Sequence, residues 1–247
     1  MRIYKDCYEL VSEIYREVYE MGTEVHTDTY QNKVIKDDPN FLTKEIINYS
    51  YCLETLNKEN YLYLQDPRMK EYVFEELLDR VSNDNRNPGT SYNARRNIWL
   101  PFLNSEGMFD YTYSERMTNN LDRVVNELKA RPDSRQAVVS IWDAKTDTKN
   151  LGGKKRVPCS LHYQFLLRNE QLHIIYTMRS CDVMTHFGVD VALAWLLKDY
   201  VGMRLRKHNL NIKSGFLYHN MASLHCYRKD WDKLKKCIDE VKGKTAN

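Results

Sequence analysis

Nothing in this chain of 247 residues is typical of a membrane protein or of a disulfide-stapled secreted protein. No apolar run approaches the ~20 residues that a spanning helix needs, and the first residues lack a signal-peptide pattern. The six cysteines are scattered, without a CxxC pair or the spacing of a disulfide framework. We therefore expect free thiols, a cytoplasmic location and no membrane partner.

Neither positive nor negative charge predominates in the chain. A net charge of +3 is too small to indicate nucleic-acid binding, although it would not repel an anionic metabolite. The hydrophobic content of 42% and the charged content of 29% are typical of a globular protein. The chain has no internal repeat, low-complexity segment or linker, so we expect one domain over residues 1–247.

The first half of the chain is mostly helical in pattern. Apolar residues at helical spacing predict helices over 4–19, 67–81 and 117–128. Polar and turn-forming residues predict irregular structure or a turn-rich strand over 24–40 and a loop over 83–93.

The second half is richer in β-branched and aromatic residues. Asn169-Glu170 has the character of a hairpin turn, and apolar spacing predicts helices over 187–201 and 231–241. Strands are predicted over 136–142, 157–167, 171–178, 215–218 and 223–227. This mixture of elements predicts a single α+β domain.

Two short segments carry candidate chemistry. Cys159 follows Pro158 on a strand-like run, and Arg179-Ser180 follows twenty residues after the cysteine. A thiolate is a soft nucleophile, and a guanidinium fork binds two phosphate oxygens at once. The pair suggests covalent chemistry on a phosphorylated substrate. Cys181 is the competing thiol, but its position between Ser180 and an aspartate fits packing better.

Five motifs extend this set, and in their order and spacing they resemble the thymidylate synthase family. They are Arg-Pro-Asp-Ser-Arg (131–135), Pro-Cys (158–159), Gln-Phe (164–165), Arg-Ser-Cys-Asp (179–182) and His-Cys-Tyr (225–227). The resemblance implies a three-layer fold with a mixed β-sheet packed by helices and a homodimer formed through the sheet. It also implies one-carbon transfer from 5,10-methylenetetrahydrofolate to C5 of a pyrimidine nucleoside monophosphate, without a metal.

The resemblance implies catalytic roles for four residues, one of which, Asp190, would also recognise the base. Cys159 would add to C6 of the pyrimidine, which makes C5 nucleophilic. Glu76 would relay protons to the ring and activate a water, with Glu75 as the alternative match. Tyr113 resembles the active-site tyrosine of the family.

Substrate-binding roles are implied in the same way. Arg179 and Ser180 would hold the phosphate, together with Arg135 from the partner subunit, while Gln164 would fix the nucleotide-site network. The family has a second arginine after Arg135, where this chain has Gln136, and its N-terminal phosphate arginine is not evident. Lys33 or another basic residue is a candidate to complete the clamp.

The remaining implied roles concern the sugar and the folate. His225 and Tyr227 alternate along a strand and share a face, where the family binds the sugar hydroxyl. Asp182 would bind the pterin ring, and Trp99 would line the folate site.

Asp190 distinguishes this chain within the family. Thymidylate synthases carry asparagine at this position, where it recognises uracil, whereas a carboxylate accepts from the cytosine amino group. In this respect, and in Ala222–Tyr227, the chain is similar to the phage deoxycytidylate hydroxymethylases. Ser160 also replaces the histidine that follows the family's cysteine. The alternative is that Asp190 is only a helix-start aspartate.

The favoured reaction is therefore conversion of dCMP, 5,10-methylenetetrahydrofolate and water to 5-hydroxymethyl-dCMP and tetrahydrofolate. The polar residues 242–247 favour water entry, but Trp99 leaves a methyl product open, as in a dCMP methyltransferase or a thymidylate synthase. A non-catalytic nucleotide- or RNA-binding relative is a remote alternative. A zinc deaminase is disfavoured because only half of a metal motif is present.

Overall fold

A computed structural model describes residues 1–36, 38–208 and 210–243. The helices are α1 (Cys7–Met21), α2 (Met69–Val81), α3 (Ser91–Ala94), α4 (Arg96–Trp99), α5 (Tyr113–Met117), α6 (Asn120–Ala130), α7 (Phe187–Arg206) and α8 (Trp231–Gly243). The strands are β1 (Arg2–Tyr4), β2 (Thr23–Val25), β3 (Thr29–Tyr30), β4 (Lys33–Val34), β5 (Thr43–Leu53), β6 (Val138–Ser140), β7 (Ser160–Arg168), β8 (Gln171–Met178), β9 (Cys181–Asp182) and β10 (Lys213–Tyr227). Residues 244–247 belong to the polar segment that favours water entry, and they lie outside the described residues.

A mixed sheet with the order β1-β5-β10-β8-β7-β6 forms the centre of the molecule. The long strand β10 runs antiparallel to β5 and parallel to β8, and β7 runs antiparallel to both of its neighbours. Strand β9 adds to the end of β10, which places Asp182 beside His225. Strands β3 and β4 form a separate small hairpin.

Helices cover one face of this sheet. Apolar residues surround α7, which is buried along most of its length against β8 and β10. Helix α2 packs against α7, and α1 packs against β5 and α8. The α+β class and the mixed sheet packed by helices are thus confirmed. None of the helices in the described ranges is long and apolar enough to span a membrane.

Several boundaries differ from the predictions. Helix α1 begins at Cys7 rather than Tyr4, because the Asp6 side chain accepts from the backbone N–H groups of the first turn. The strands predicted over 215–218 and 223–227 are one continuous strand, β10. Helix α3 lies partly within the predicted loop 83–93.

Two other local features test the sequence patterns. The predicted hairpin turn is confirmed, since Asn169 and Glu170 have φ values of +48° and +61° and join β7 to β8. Strand β5 was not predicted, because its exposed and buried residues do not alternate regularly.

The second face of the sheet carries half-buried side chains. On β7 the core residues Tyr163 and Phe165 alternate with Gln164, which points to this outer face. Leu166 and Tyr218 line a partly open hollow on the same face. The homodimer through this face stays a prediction, because the structure contains a single chain.

Candidate active site

A cavity of about 500 Å³ lies where the sheet, α2 and the start of α7 meet. This volume is within the range of small-molecule sites. Its lining contains most of the residues that the sequence motifs single out. They are Glu76, Trp99, Tyr113, Cys159, Arg179, Ser180, Asp182, Asp190, His225 and Tyr227.

Cys159 lies immediately before β7, under the guanidinium of Arg179. Nη2 of Arg179 is 3.7 Å from the cysteine Sγ. Arg179 is held there because its Nε donates to the Pro158 carbonyl at 2.9 Å and its Nη2 to the Val157 carbonyl at 3.2 Å. The guanidinium thus lies beside the sulfur atom, whose thiolate is the reactive form of cysteine. Burial raises the pKa of the competing Cys181 thiol well above its usual value.

Gln31 is a second neighbour of the thiol, and no sequence motif points to it. It lies in the tight turn between β3 and β4, with its Nε2 3.9 Å from the Cys159 Sγ. Its Oε1 is buried and has no hydrogen-bond partner among the described residues. An unpaired buried acceptor is costly, so a ligand that donates to it would be stabilised here.

Asp190 lies in the first turn of α7 at the end of a chain of hydroxyl groups. Tyr113 Oη is 2.9 Å from Ser160 Oγ, which is 2.5 Å from Tyr176 Oη. Tyr176 Oη donates in turn to Asp190 Oδ1 at 3.4 Å, and His186 Nδ1 is 3.3 Å from the same oxygen. Both contacts are made to Oδ1, and Oδ2 accepts no hydrogen bond from any residue that the structure describes.

Tyr113 and Tyr176, the two tyrosines in this series of hydrogen-bonded hydroxyl groups, are neutral. Burial raises the pKa of Tyr113 and of Tyr176 well above the usual value. Tyr176 is also stacked between Tyr163, with ring centroids 4.4 Å apart, and His219, at 4.7 Å. Burial lowers the pKa of His219 to about 4, so this ring is neutral at pH 7. The stacking fixes the Tyr176 hydroxyl and therefore the orientation of Asp190.

Glu76, rather than Glu75, faces the cavity. Its carboxylate accepts from Arg80 Nε at 2.9 Å, from Ser91 Oγ at 2.8 Å and from Tyr72 Oη at 3.3 Å. Three donors keep the carboxylate in one orientation at the cavity wall, as a proton-relay group requires.

Arg80 was not singled out from the sequence. Its side chain is 1% exposed, and its Nη1 donates to Tyr163 Oη at 3.0 Å. The guanidinium also lies 4.0 Å from the ring centroid of Tyr113. Arg80 therefore joins the Glu76 side of the cavity to the tyrosines on the Asp190 side.

Asp182 organises the turn that precedes α7. Its Oδ1 accepts from the backbone N–H groups of Met184 at 2.9 Å and Thr185 at 3.3 Å, and its Oδ2 accepts from Thr185 Oγ1 at 2.5 Å. The neighbouring His225 on β10 has its Nδ1 3.3 Å from Ser223 Oγ. Burial lowers the pKa of His225, which favours a neutral ring at the cavity.

Aromatic residues form a further wall of the cavity. Trp99, at the end of α4, lies with its ring centroid 6.1 Å from Phe102 and 6.3 Å from Phe109. The guanidinium of Arg156 is 5.0 Å from the Trp99 centroid. These flat apolar surfaces suit an aryl ligand such as the pterin or aminobenzoyl ring of a folate.

Three predicted residues lie outside the cavity lining. Arg135 is exposed, and Gln164 on the outer face donates from its Nε2 to the Arg135 carbonyl at 2.8 Å. Lys33, the candidate for the missing phosphate arginine, is exposed with its Nζ 4.9 Å from the Phe102 centroid. In the three described ranges, no group of three or more His, Cys, Asp or Glu residues could hold a metal ion.

The chain is similar in sequence to proteins of a known family. A sequence profile of the family "Thymidylate synthase" matches residues 24–246. A putative thymidylate synthase from Methanocaldococcus jannaschii is 28% identical over 135 residues, which cover 54% of this chain and 59% of that protein. A thymidylate synthase from Buchnera aphidicola is 26% identical over 151 residues, covering 57% of this chain and 54% of that protein. The chain thus spans less than two thirds of the length of these relatives.

The fold is also similar to that of a solved structure. The thermostable thymidylate synthase A from Bacillus subtilis superimposes with a TM-score of 0.68, covering 95% of this chain and 84% of that chain. Its sequence identity of 16% supports the fold alone.

Proposed function

The chain belongs to the thymidylate synthase family, and from this premise we propose that it transfers a one-carbon unit from 5,10-methylenetetrahydrofolate to C5 of dCMP. The product is 5-hydroxymethyl-dCMP, and water and tetrahydrofolate complete the balance. The observation that carries the proposal is the position of Asp190 in the lining of the same cavity as Cys159, with its Oδ1 held by Tyr176.

The choice of cytosine over uracil follows from hydrogen-bond polarity. Cytosine presents a 4-amino donor, and its N3 becomes a donor once protonated, so both groups suit a carboxylate acceptor. Uracil presents the O4 acceptor, which an ionised Asp190 would repel. Tyr176 Oη and His186 Nδ1 both contact Asp190 Oδ1. Neither of these two groups is therefore placed to donate a hydrogen bond to O4 of uracil.

Each catalytic step is assigned to residues of this chain. The Cys159 thiolate, next to Arg179, adds to C6 of the pyrimidine and converts C5 into an enamine-like nucleophile. 5,10-Methylenetetrahydrofolate supplies the carbon that becomes attached to C5. Glu76 takes and returns protons at the ring and activates the water that adds to this carbon. Loss of the C5 proton breaks the bond between this carbon and tetrahydrofolate and leaves an exocyclic methylene group on C5. The activated water adds to this group, and cleavage of the C6–S bond then releases the nucleotide and restores the thiolate.

The binding assignments complete the proposal. Arg179 and Ser180 bind the phosphate, and Arg179 Nη1 is the guanidinium nitrogen that donates to no residue within the described ranges. His225 and Tyr227 bind the sugar, and Trp99 and Asp182 bind the folate. Arg135 is exposed beside the outer face of the sheet, where a second subunit of a homodimer would bring it to the partner's phosphate site.

A second candidate is thymidylate synthesis, favoured by the names of the matched relatives. In that reaction the substrate is dUMP, and the folate leaves as dihydrofolate. Methylation of dCMP is an intermediate case that shares the substrate of the first proposal and the folate product of the second.

One incubation series separates these reactions. The protein is supplied with dCMP or dUMP and 5,10-methylenetetrahydrofolate, the nucleotide product is identified by mass, and dihydrofolate is followed by absorbance. We expect hydroxymethyl-dCMP without dihydrofolate, and no product from Cys159→Ser. Asp190→Asn is expected to shift the dCMP-to-dUMP ratio of kcat/KM by at least about tenfold, because it exchanges an acceptor for a donor. Preferential turnover of dUMP by the unaltered protein would refute the role of Asp190.

A further inference from the structure

Arg156 is a buried cation in the cavity wall, three residues before Cys159. It is 7% exposed, and its backbone N–H donates to Asp110 Oδ2 at 2.8 Å. Its guanidinium, in contrast, makes no ion pair and no hydrogen bond with any residue that the structure describes, and its Nε is buried without a partner. Five N–H donors are thus left without acceptors.

An aromatic box holds this guanidinium in position. Its central carbon is 5.0 Å from the ring centroid of Trp99, 5.2 Å from those of Phe102 and Tyr111, and 5.3 Å from that of Phe109. Cation–π attraction offsets part of the cost of burying the charge. Ring faces do not replace oxygen acceptors, however, so the N–H groups remain available for a ligand.

Two acidic residues close to this segment bind groups other than the Arg156 guanidinium. Asp110 accepts the backbone N–H of Arg156, and Asp147 is paired with Arg116 at 2.8 Å. Among the described residues, therefore, no carboxylate forms an ion pair with the Arg156 guanidinium.

We propose that Arg156 binds an oxyanion of a substrate that occupies the cavity. A guanidinium fork takes two oxygens of a carboxylate or phosphate at once, and the aromatic box fixes the fork before the ligand arrives. The two sources of such an oxyanion are the glutamate carboxylate of the folate and the phosphate of the nucleotide. Because both ligands come from the proposed function, this inference rests on it.

The test is a calorimetric titration of the unaltered protein, Arg156→Gln and Arg156→Lys with matched ligand pairs. Tetrahydrofolate is compared with tetrahydropteroate, which lacks the glutamate, and dCMP is compared with deoxycytidine, which lacks the phosphate. Inorganic phosphate serves as a probe independent of any reaction. Lys154→Gln is the control, because it removes a positive charge from an exposed side chain two residues away.

We expect Arg156→Gln to weaken the binding of one charged ligand by roughly 10- to 100-fold, the range of a charge-assisted hydrogen bond, and to leave its uncharged counterpart unchanged. Arg156→Lys should restore part of the affinity, and Lys154→Gln should have little effect. The ligand pair that responds identifies the source of the oxyanion.

The inference is overturned if the unaltered protein binds these ligands and Arg156→Gln binds all of them equally well. If the unaltered protein binds neither folate nor dCMP, the proposed function fails instead. In that case the phosphate titration decides the inference, which stands if phosphate binds the unaltered protein and not Arg156→Gln, and falls otherwise.

Discussion

The buried pair of Glu76 and Arg80 provides the largest stability effect that we expect from a single side chain. Replacing Arg80 with methionine keeps most of the side-chain volume but removes the hydrogen bonds to Glu76 and Tyr163 and the contact with the Tyr113 ring. The Glu76 carboxylate then remains buried with only its two neutral hydroxyl donors, Ser91 and Tyr72. Breaking a buried pair from one side leaves an uncompensated charge, which costs about 3–5 kcal/mol.

Urea unfolding followed by circular dichroism measures this cost. With a slope of about 3 kcal/mol per M of urea, the midpoint of Arg80→Met should fall by about 1–2 M. The double variant Glu76→Gln/Arg80→Met should recover part of the loss, because the unpaired charge is gone. A midpoint shift of less than ~0.3 M for Arg80→Met would refute the reasoning, because it corresponds to no more than about 1 kcal/mol.

A matched control is available in the pair of Arg68 and Asp66. Their N–O distance is 2.9 Å, as in the pair of Glu76 and Arg80, but the Arg68 side chain is 81% exposed. Solvent screens such a pair, so Arg68→Met should change the unfolding free energy by no more than about 0.5 kcal/mol. The contrast isolates burial as the cause of the large effect.

Two further predictions concern other buried polar groups. Tyr176→Phe removes the hydroxyl between Ser160 and Asp190. The unfolding free energy should therefore fall by about 1 kcal/mol, and kcat with dCMP should fall by about tenfold. Equal kcat values for the variant and the unaltered protein would contradict a positioning role. Burial of Lys198 lowers its pKa from 10.5 to about 7, so between pH 7 and 10 the unfolded chain holds a proton that the folded chain lacks. Stability should therefore rise with pH across that window, by up to about 1.4 kcal/mol per pH unit, and stay flat below it. Lys198→Met should be more stable at pH 7 and lose this slope in urea titrations, and parallel pH profiles would exclude the effect.

The sequence predicts the parts of the site that depend on short motifs. Cys159 and Arg179 are joined by the pairing of the strand ends, since the backbone N–H of Arg179 donates to the Cys159 carbonyl at 2.8 Å. Their twenty-residue separation is the length of one hairpin, so their proximity follows from local structure. Asp182 and His225 are brought together by the pairing of β9 with β10, which the family resemblance implied but no local pattern shows.

The polar groups that support these residues could not be predicted in the same way. In the sequence, Glu76 and Arg80 are an ordinary pair at helical spacing, which is usually exposed and weak. Their burial depends on Tyr163, 83 residues further along the chain, and Tyr163 itself alternates along β7 as a core aromatic residue does. Only the tertiary arrangement shows that its hydroxyl has a partner.

The same network explains why Asp190→Asn should fold and alter specificity rather than unfold the protein. Tyr176 donates to Oδ1, and His186 Nδ1 lies 3.3 Å from the same oxygen, so an amide oxygen at this place can accept from Tyr176 in the same way. The amide nitrogen then takes the place of Oδ2 and presents a donor to the cavity, where the carboxylate presents an acceptor. A buried network that stays satisfied on one side while its polarity reverses on the other changes what it binds at little cost in stability. We therefore expect Asp190→Asn to unfold within about 1 kcal/mol of the unaltered protein, and a larger loss would mean that its carboxylate is needed for the fold.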